Sequence, residues 1–561
     1  FITFRQSREA IIDEKQPSHR IESFSKVLLT IKGYSFLPDE VTEVIGKVRF
    51  HDQRIETGVF NVGTRLFTRG KYDHNDDEGE KSNTASCLKY EFQLSKSKKR
   101  VPHFSQIEDD PIRIDIFDSK GGRYLATISI PLRSVFVNGT ISGDYPMFTA
   151  PFSLSFIETD DTNWLSTDIR SIRIQLSLEL TPALLPPEYI DQTTCREKPN
   201  IKRRAQMIID HFAGTRRRIV PLATTTKDQT VLACRFIIPQ EPPVHLDRDI
   251  TSLLAFVSVI PTSPDSALPG AENQRWSTSQ QFLNDARGTN TEHAILLCNF
   301  LKYMEQDAYV ILGHDALAGL CAFVGIRSSH SWSQIFDPTS GREVDFTSSE
   351  YSTLLDIGTI FNDRNIWFNQ QKQGKEISKI NWNLSNTNKW IPFFCKECPR
   401  MEFPSPQEEV LEFEDSPPEH SEALLRHVET VIKGCTEELR AEMSPKLSTD
   451  FDDSLAQRLE KVLEFASNGE YEEVNQSLKK LSRKCKKKRA KMVGTPFFIA
   501  YIYDEDNIDK LREEIMNGIR TRREYTSRRK GTKFAAAASI TTFPNDMYGI
   551  WVLLASVIPH K

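Results

Sequence analysis

Six residues between 288 and 341 have side chains suited to a cysteine-type triad or to replacing one: Asn290, His293, Cys298, Cys321, His330 and Asp337. Such a triad needs a thiolate, an imidazole one hydrogen bond away, and a third group that orients the imidazole. The run Gly288-Thr289-Asn290-Thr291-Glu292-His293-Ala294 reads as a helix start. A helix N-terminus favours a thiolate, but Asn290 supplies a cap there and no nucleophile. Cys298 lies about two turns further on within Ile295-Leu296-Leu297-Cys298, where the dipole has faded and apolar neighbours raise a thiol's pKa. It reads as an inert core cysteine. His293, at the helix start, reads as a structural hydrogen-bonding residue.

Other motifs are weaker. Cys395-Lys396-Glu397-Cys398 is a single C-x-x-C without the second pair that a four-ligand zinc site needs. Asp73 to Gly79 (DHNDDEG) hints at an EF-hand loop, but its glycine falls one place late and no flanking helices are evident. It reads as a solvated acidic loop. Neither a P-loop, an H-E-x-x-H nor a G-x-S-x-G pattern is present. The run Lys479 to Lys491 (KKLSRKCKKKRAK) holds nine Lys/Arg, among them Lys486, Lys487, Lys488 and Arg489. Its ordinary reading is the solvated C-terminal end of a helix, where cations suit the dipole. Its functional reading is a contact for anionic membrane or acidic tubulin tails. A second basic stretch, Arg520 to Lys533, reads as a loop before the final strands.

These residues sit in a chain of 561 with 39% hydrophobic and 27% charged content, which implies several soluble globular domains. The net charge of −5 argues against nucleic-acid binding by the whole molecule. No apolar run approaches a bilayer span, and no signal peptide opens the chain. Nine scattered cysteines suit a reducing compartment better than a disulfide framework. The chain opens on Phe1 rather than Met, so a fragment of a longer protein is expected.

Period-two patterning dominates residues 22–182, in Val27/Leu29/Ile31, Ile112/Ile114/Ile116 and Ile172 to Leu180, and predicts an antiparallel β-sandwich. Thr68–Ser86 and Glu158–Thr167 read as long surface loops. Residues 186–250, with PALLPPEY, two arginine clusters and PQEPP, read as a connector with one helix near 200–213. From 251 to 400 helix and strand patterns alternate: a helix at His293–Tyr303, strands at Ala308–Leu312 and Ala322–Ile326, and SQIFDPTSG as a strand ending in a turn. The acidic, Pro-rich 402–420 reads as a linker. Two amphipathic helices follow, the second capped by Asp453 or Ser454. The segment from Pro496 reads strand, helix, strand, strand, and its sheet needs a partner surface.

The blocks FVSVIPTSPDS (256–266), WSTSQQFL, EHAILLCNFL, RNIWFNQQ (364–371) and ITTFPNDMYGIWVLLASVI (540–558) resemble one family in order. That family is the coiled-coil and C2 domain proteins of the ciliary transition zone, components of a Meckel/Joubert-type complex. Gly33 with SFLPDE, and IRIDIFDSKGG, resemble the first and third loops of a C2 domain. The resemblance implies a multidomain α+β chain, divided as a lead-in (1–21), a C2-like β-sandwich (22–185), a connector (186–250) and a papain/transglutaminase-like α+β domain (251–400). A linker (401–420), a helical region (421–495) and a small α/β segment (496–561) complete it.

In the transglutaminase-like fold the resemblance places the nucleophile at Asn290, the histidine at Cys321 and the third member at Asp337. Two of three are thus lost, and a dead fold is expected, with no cofactor and no metal. His293 and His330 are candidates for a cleft that would hold a peptide without cleaving it. At the C2 tip, Asp39, Glu40 and Asp118 are too few for calcium, and Lys120 opposes a cation. The expected role is a scaffold on the cytoplasmic side of the cilium base, in the transition zone and basal body. Expected partners are C2-type Meckel-complex and tectonic-type membrane proteins. The rival readings are a residual cysteine hydrolase or acyl transferase using Cys298 or Cys321, and a peripheral membrane module.

Overall fold

The computed structural model describes residues 21, 24–37, 41–61, 88–95, 101–102, 107, 110–120, 122–150, 154, 172–184, 194–215, 217–244, 246, 249–263, 275–328, 331–344, 353–371, 380–401, 404–444, 446–468, 470–503 and 508–559. The first unit comprises β1 (Lys26–Ser35), β2 (Glu43–Phe50), β3 (Gln53–Glu56), β4 (Phe60–Asn61), β5 (Leu88–Gln93), β6 (Pro111–Asp118), β7 (Tyr124–Pro131), α1 (Leu132–Asn138), β8 (Thr140–Pro146) and β9 (Arg173–Thr181). Two antiparallel sheets form, β5-β1-β9-β8 and β3-β2-β6-β7, with β4 beside β2. Period-two alternation turns Val27, Leu29, Ile31, Val44, Val48, Ile114, Ile174 and Leu176 into the space between them. The expected sandwich is therefore present. The expected loops at 68–86 and 158–167, the acidic stretch 73–79, Asp39 and Glu40 lie outside the described residues.

The central unit runs β10 (Thr194–Cys195), α2 (Pro199–His211), β11 (Leu222–Thr225), β12 (Gln229–Leu232), α3 (Ile250–Val259), β13 (Arg275–Trp276), α4 (Ser279–Asp285), α5 (Asn290–Tyr303), β14 (Ala308–Asp315), β15 (Gly319–Ser328), β16 (Ser331–Asp337), β17 (Arg342–Glu343), β18 (Leu354–Phe361), β19 (Ile366–Asn369) and β20 (Trp390–Pro392). Its seven-stranded antiparallel sheet, β17-β16-β15-β14-β18-β19-β20, packs against α5. The segment expected as a connector is part of this core. Ile201, Ala205 and Ile208 of α2, together with Ala223, Leu232 and Phe236, share one buried cluster with Ile295, Leu296 and Phe300 of α5. The apolar stripe of α2 is only three residues wide and is masked in sequence by the adjacent Lys202-Arg203-Arg204.

The third unit contains α6 (Pro418–Met443), β21 (Asp450–Phe451), α7 (Asp453–Ser467), α8 (Tyr471–Lys487), β22 (Ala490–Gly494), β23 (Phe497–Ile502), α9 (Ile508–Arg522), β24 (Lys533–Phe543) and β25 (Met547–Pro559). Residues 421–495 and 496–559 are not separate regions. Helices α6 and α9 cover one sheet face through Phe534, Ala536 and Ala538, while α7 and α8 cover the other through Ala535 and Ala537. Alanines on both faces of β24 let the helices approach closely. The cap of α7 is Asp452, whose Oδ1 accepts from the Leu455 N–H at 3.1 Å, one residue before the expected position.

Residues 404–416 are a strap rather than a free linker. Gln407 Oε1 accepts from the Ser279 N–H at 2.7 Å, Leu411 enters the central core, and the Glu414 N–H donates to Asn545 Oδ1 at 2.7 Å. Phe543 and Met547 also enter that core, so the third unit's sheet gains its partner surface there. The β14–β15 turn docks into the sandwich: Ala316 joins the sandwich core and Ser134 Oγ donates to the Leu317 carbonyl at 2.5 Å.

Candidate functional site

The start of α5 is held by a capping box. Thr289 Oγ1 accepts from the Glu292 N–H at 3.3 Å, and Glu292 Oε2 accepts from the Thr289 N–H at 2.7 Å. Glu292 Oε1 also accepts from the Ser277 N–H at 2.6 Å, tying β13 to the helix. A glycine is required at 288, because a Cβ there would come within 2.5 Å of the Phe282 ring. The cap is therefore Thr289, and Asn290 is the first helical residue rather than the cap expected from sequence. Thr289 and Glu292, three apart, satisfy two helix N–H groups reciprocally, leaving the Asn290 side chain for another task. Its Nδ2 donates to the carbonyl oxygen of Leu320 at 3.0 Å.

A buried arginine completes this junction. Arg218 Nη2 donates to Thr291 Oγ1 and Nη1 to the Cys321 carbonyl, both at 2.8 Å. Thr359 Oγ1 donates to the Arg218 carbonyl at 2.7 Å. Asn290 and Cys321 are thus brought to adjoining positions, joined by amide and guanidinium hydrogen bonds instead of by a sulfur and an imidazole. Arg217, the neighbour, pairs with Asp356 at 2.9 Å. Sequence reading left both arginines in a connector. The signal available was the apolar Ile219-Val220 directly after them, the pattern of a chain entering a core.

Cys321 is buried in the layer formed by Ile311, Phe323 and Ile335, whereas its neighbours Ala322 and Val324 face α5. Burial, then the nearby Asp315 carboxylate, pushes its thiol well above the ordinary range. Asp337 caps its own turn: Oδ1 accepts from the Thr339 N–H at 3.0 Å and from Thr339 Oγ1 at 2.7 Å. Cys298 lies in the opposite layer from Cys321, and burial pushes its thiol up to about 12. His293 Nδ1 lies 2.7 Å from the Thr289 carbonyl oxygen and Nε2 lies 2.9 Å from that of Ile260. Both ring nitrogens face backbone oxygen and neither faces sulfur. Burial holds this imidazole below its usual pKa. The expected cleft lined by Asn290, His293, Cys321 and Asp337 is corrected by these facts, because His293 is 0% and Cys321 5% exposed. His330 lies outside the described residues.

Among the described residues no group of three metal-ligating side chains converges. At the sandwich tip, Lys120 Nζ donates to Thr42 Oγ1 at 2.8 Å and its N–H to Asp118 Oδ1 at 3.1 Å, so a cation already bridges the two loops. Cys395 and Cys398 are free thiols, and Cys395 Sγ donates to Glu397 Oε2 at 3.0 Å. The basic run forms the end of α8 and the turn into β22, with Lys486, Lys487, Lys488 and Arg489 exposed.

Residues 274–393 match the family described as the CEP76 peptidase-like domain. Protein CC2D2B of Homo sapiens is 24% identical over 474 residues, covering 78% of this chain and 30% of that protein. Coiled-coil and C2 domain-containing protein 2A of Drosophila melanogaster is 22% identical over 477 residues, covering 79% of this chain and 34% of that protein. The chain therefore spans about a third of the length of the curated relatives it matches. Among solved structures, the paired C2 domains of Extended-Synaptotagmin 2 align at 11% identity with a TM-score of 0.17, over 29% of this chain and 40% of that one, a score too low to carry weight. With a β-sandwich at its start and a peptidase-like domain at its centre, the chain is a homologue of the coiled-coil and C2 domain-containing proteins.

Proposed function

We propose that this chain is a non-enzymatic scaffold of the cilium base, working on its cytoplasmic side in the transition zone and basal body during cilium formation. The observation that supports a pseudoenzyme is the Asn290 amide seated on the Leu320 carbonyl beside the Arg218 guanidinium. A helix start that would activate a thiolate carries an uncharged amide, and the space where an imidazole would approach is filled by backbone and guanidinium. Cys298 and Cys321, the sulfurs on which a residual hydrolase would rely, are buried and held as thiols.

In this reading the fold supplies rigidity. The docked β14–β15 turn and the 404–416 strap hold the three units together, so their outer faces present partners with a fixed geometry. The partners are other transition-zone proteins of the C2-type Meckel-complex and tectonic-type membrane classes, with an anionic membrane or tubulin contact through the basic run. Nucleic acid is not among them. Two measurements test the proposal. Affinity purification of the tagged chain from ciliated cells should recover transition-zone proteins, and none above control would overturn the placement. Incubation with peptide and glutamine substrates should give no turnover; turnover abolished by replacing a single cysteine would overturn the pseudoenzyme reading.

A further inference from the structure

The two basic stretches that look separate in sequence meet in the fold. β22 pairs with β25 so that Ala490 opposes Pro559 and Lys491 opposes Ile558. Arg529, from the loop before β24, donates through Nη1 to the Pro559 carbonyl at 2.9 Å. Between this sheet edge and the β6–β7 turn of the sandwich lies a cavity of about 640 Å3. Arg123 of the sandwich and Lys491, Arg522, Arg523, Arg528 and Arg529 of the third unit line it, against two carboxylates, Asp118 and Glu524. Asp118 is already engaged by Arg123 at 3.8 Å. Burial pushes Glu524 up to about 7, so near neutrality it carries only part of its negative charge.

Two donors in the wall lack partners among the described residues. Arg522 is clamped between the rings of Phe497 at 4.4 Å and Tyr124 at 5.3 Å, and Nη1 donates to the Gly518 carbonyl, but its buried Nε has no partner. The Ser556 hydroxyl, 1% exposed on β25, also has none. Neither atom is open to the cavity, so a ligand there meets the positive charge of the lining and not these two donors. Guanidinium forks fit phosphate oxygens bidentately. An acidic peptide spreads its charges along about 3.3 Å per residue and would place few of them inside a cavity of this size.

We infer that the cleft between the β6–β7 turn and the β22–β25 edge is a binding site for a compact multiply phosphorylated anion, the chemistry shared by an inositol polyphosphate and a phosphoinositide headgroup. The exposed Lys487, Lys488 and Arg489 flank β22 and extend the same positive surface.

The whole chain is titrated with inositol hexakisphosphate by calorimetry, and sedimented with phosphatidylcholine vesicles with and without phosphatidylinositol bisphosphate. Saturable binding is expected, weakened roughly tenfold or more by Arg528→Glu with Arg529→Glu. Both arginines are exposed, so the thermal midpoint of that variant should be unchanged while its affinity drops. Lys479→Glu with Lys480→Glu makes the same charge change outside the cavity and should leave binding intact. Vesicle binding that the soluble phosphate competes away assigns the headgroup as the source, and binding of the soluble phosphate alone assigns a free ligand. Absence of both, equal loss in the Lys479/Lys480 control, or equally tight binding of polyglutamate would each overturn the site.

Discussion

The Asn290 side chain donates a 3.0 Å hydrogen bond to the carbonyl oxygen of Leu320, the residue before Cys321. One atom pair thus joins the start of α5 to β15, and it does so without a titratable group. Replacing Asn290 by alanine should leave that carbonyl short of a donor and lower stability by about 1 kcal/mol. Urea unfolding measures it, and no loss would show the bond to be incidental. Asn290→Cys should create a thiol with no imidazole partner, and peptide turnover by that variant would contradict the geometry.

Arg218→Met should cost roughly 3 kcal/mol, because it strips donors from the Cys321 carbonyl and from Thr291 in a buried setting. Thermal denaturation is the measurement. A loss as small as that of a surface arginine would mean that water replaces the guanidinium there.

Brief alkylation of the native chain followed by mass spectrometry should leave Cys298 and Cys321 unmodified, since burial keeps both protonated. Both should react once the chain is unfolded. Rapid native modification of either would revive the hydrolase reading.

Glu524 gives a pH signature whose sign follows from its neighbours. Burial raises it from 4.5 to about 7, while Arg522 and the Thr495 hydrogen bonds act the other way. Between those two values the folded chain holds a proton that the unfolded chain has released, so stability falls as pH rises through the window and the full penalty remains above it. Glu524→Gln should therefore raise stability at about pH 8 by an amount on the order of 3 kcal/mol and change it little at about pH 4. Equal effects at both would refute the assignment.

Calcium should leave the melting temperature unchanged, because Lys120 Nζ bridges to Thr42 at 2.8 Å where an ion would need oxygen ligands. A concentration-dependent rise would show that loop residues outside the described set complete a site.

Local pattern alone was enough for the sandwich and for α5. Period-two alternation and a helix-start signature are carried by residues close in sequence, so Val27/Leu29/Ile31 and Thr289 to Ala294 could be read without knowing what they touch. The match failed where long-range packing sets the role of a residue. Arg217 and Arg218 looked like solvated charge in a connector, and only the approach of β15 and β18 gives Arg218 the Cys321 carbonyl and Arg217 the Asp356 carboxylate. The strap at 404–416 looked like a linker because its acidic, Pro-rich composition does not reveal that Gln407 and Leu411 are bound over the core. His293, read as a cleft residue, is enclosed because burial is a property of the assembled layers. Arg123 lies hundreds of residues from Lys491 and Arg522 and shares a cavity with them only because β22 aligns on β25 beside the β6–β7 turn. Sequence states which side chains are available; the three-dimensional fold decides which of them meet, since contact order at that range is set by packing and not by spacing.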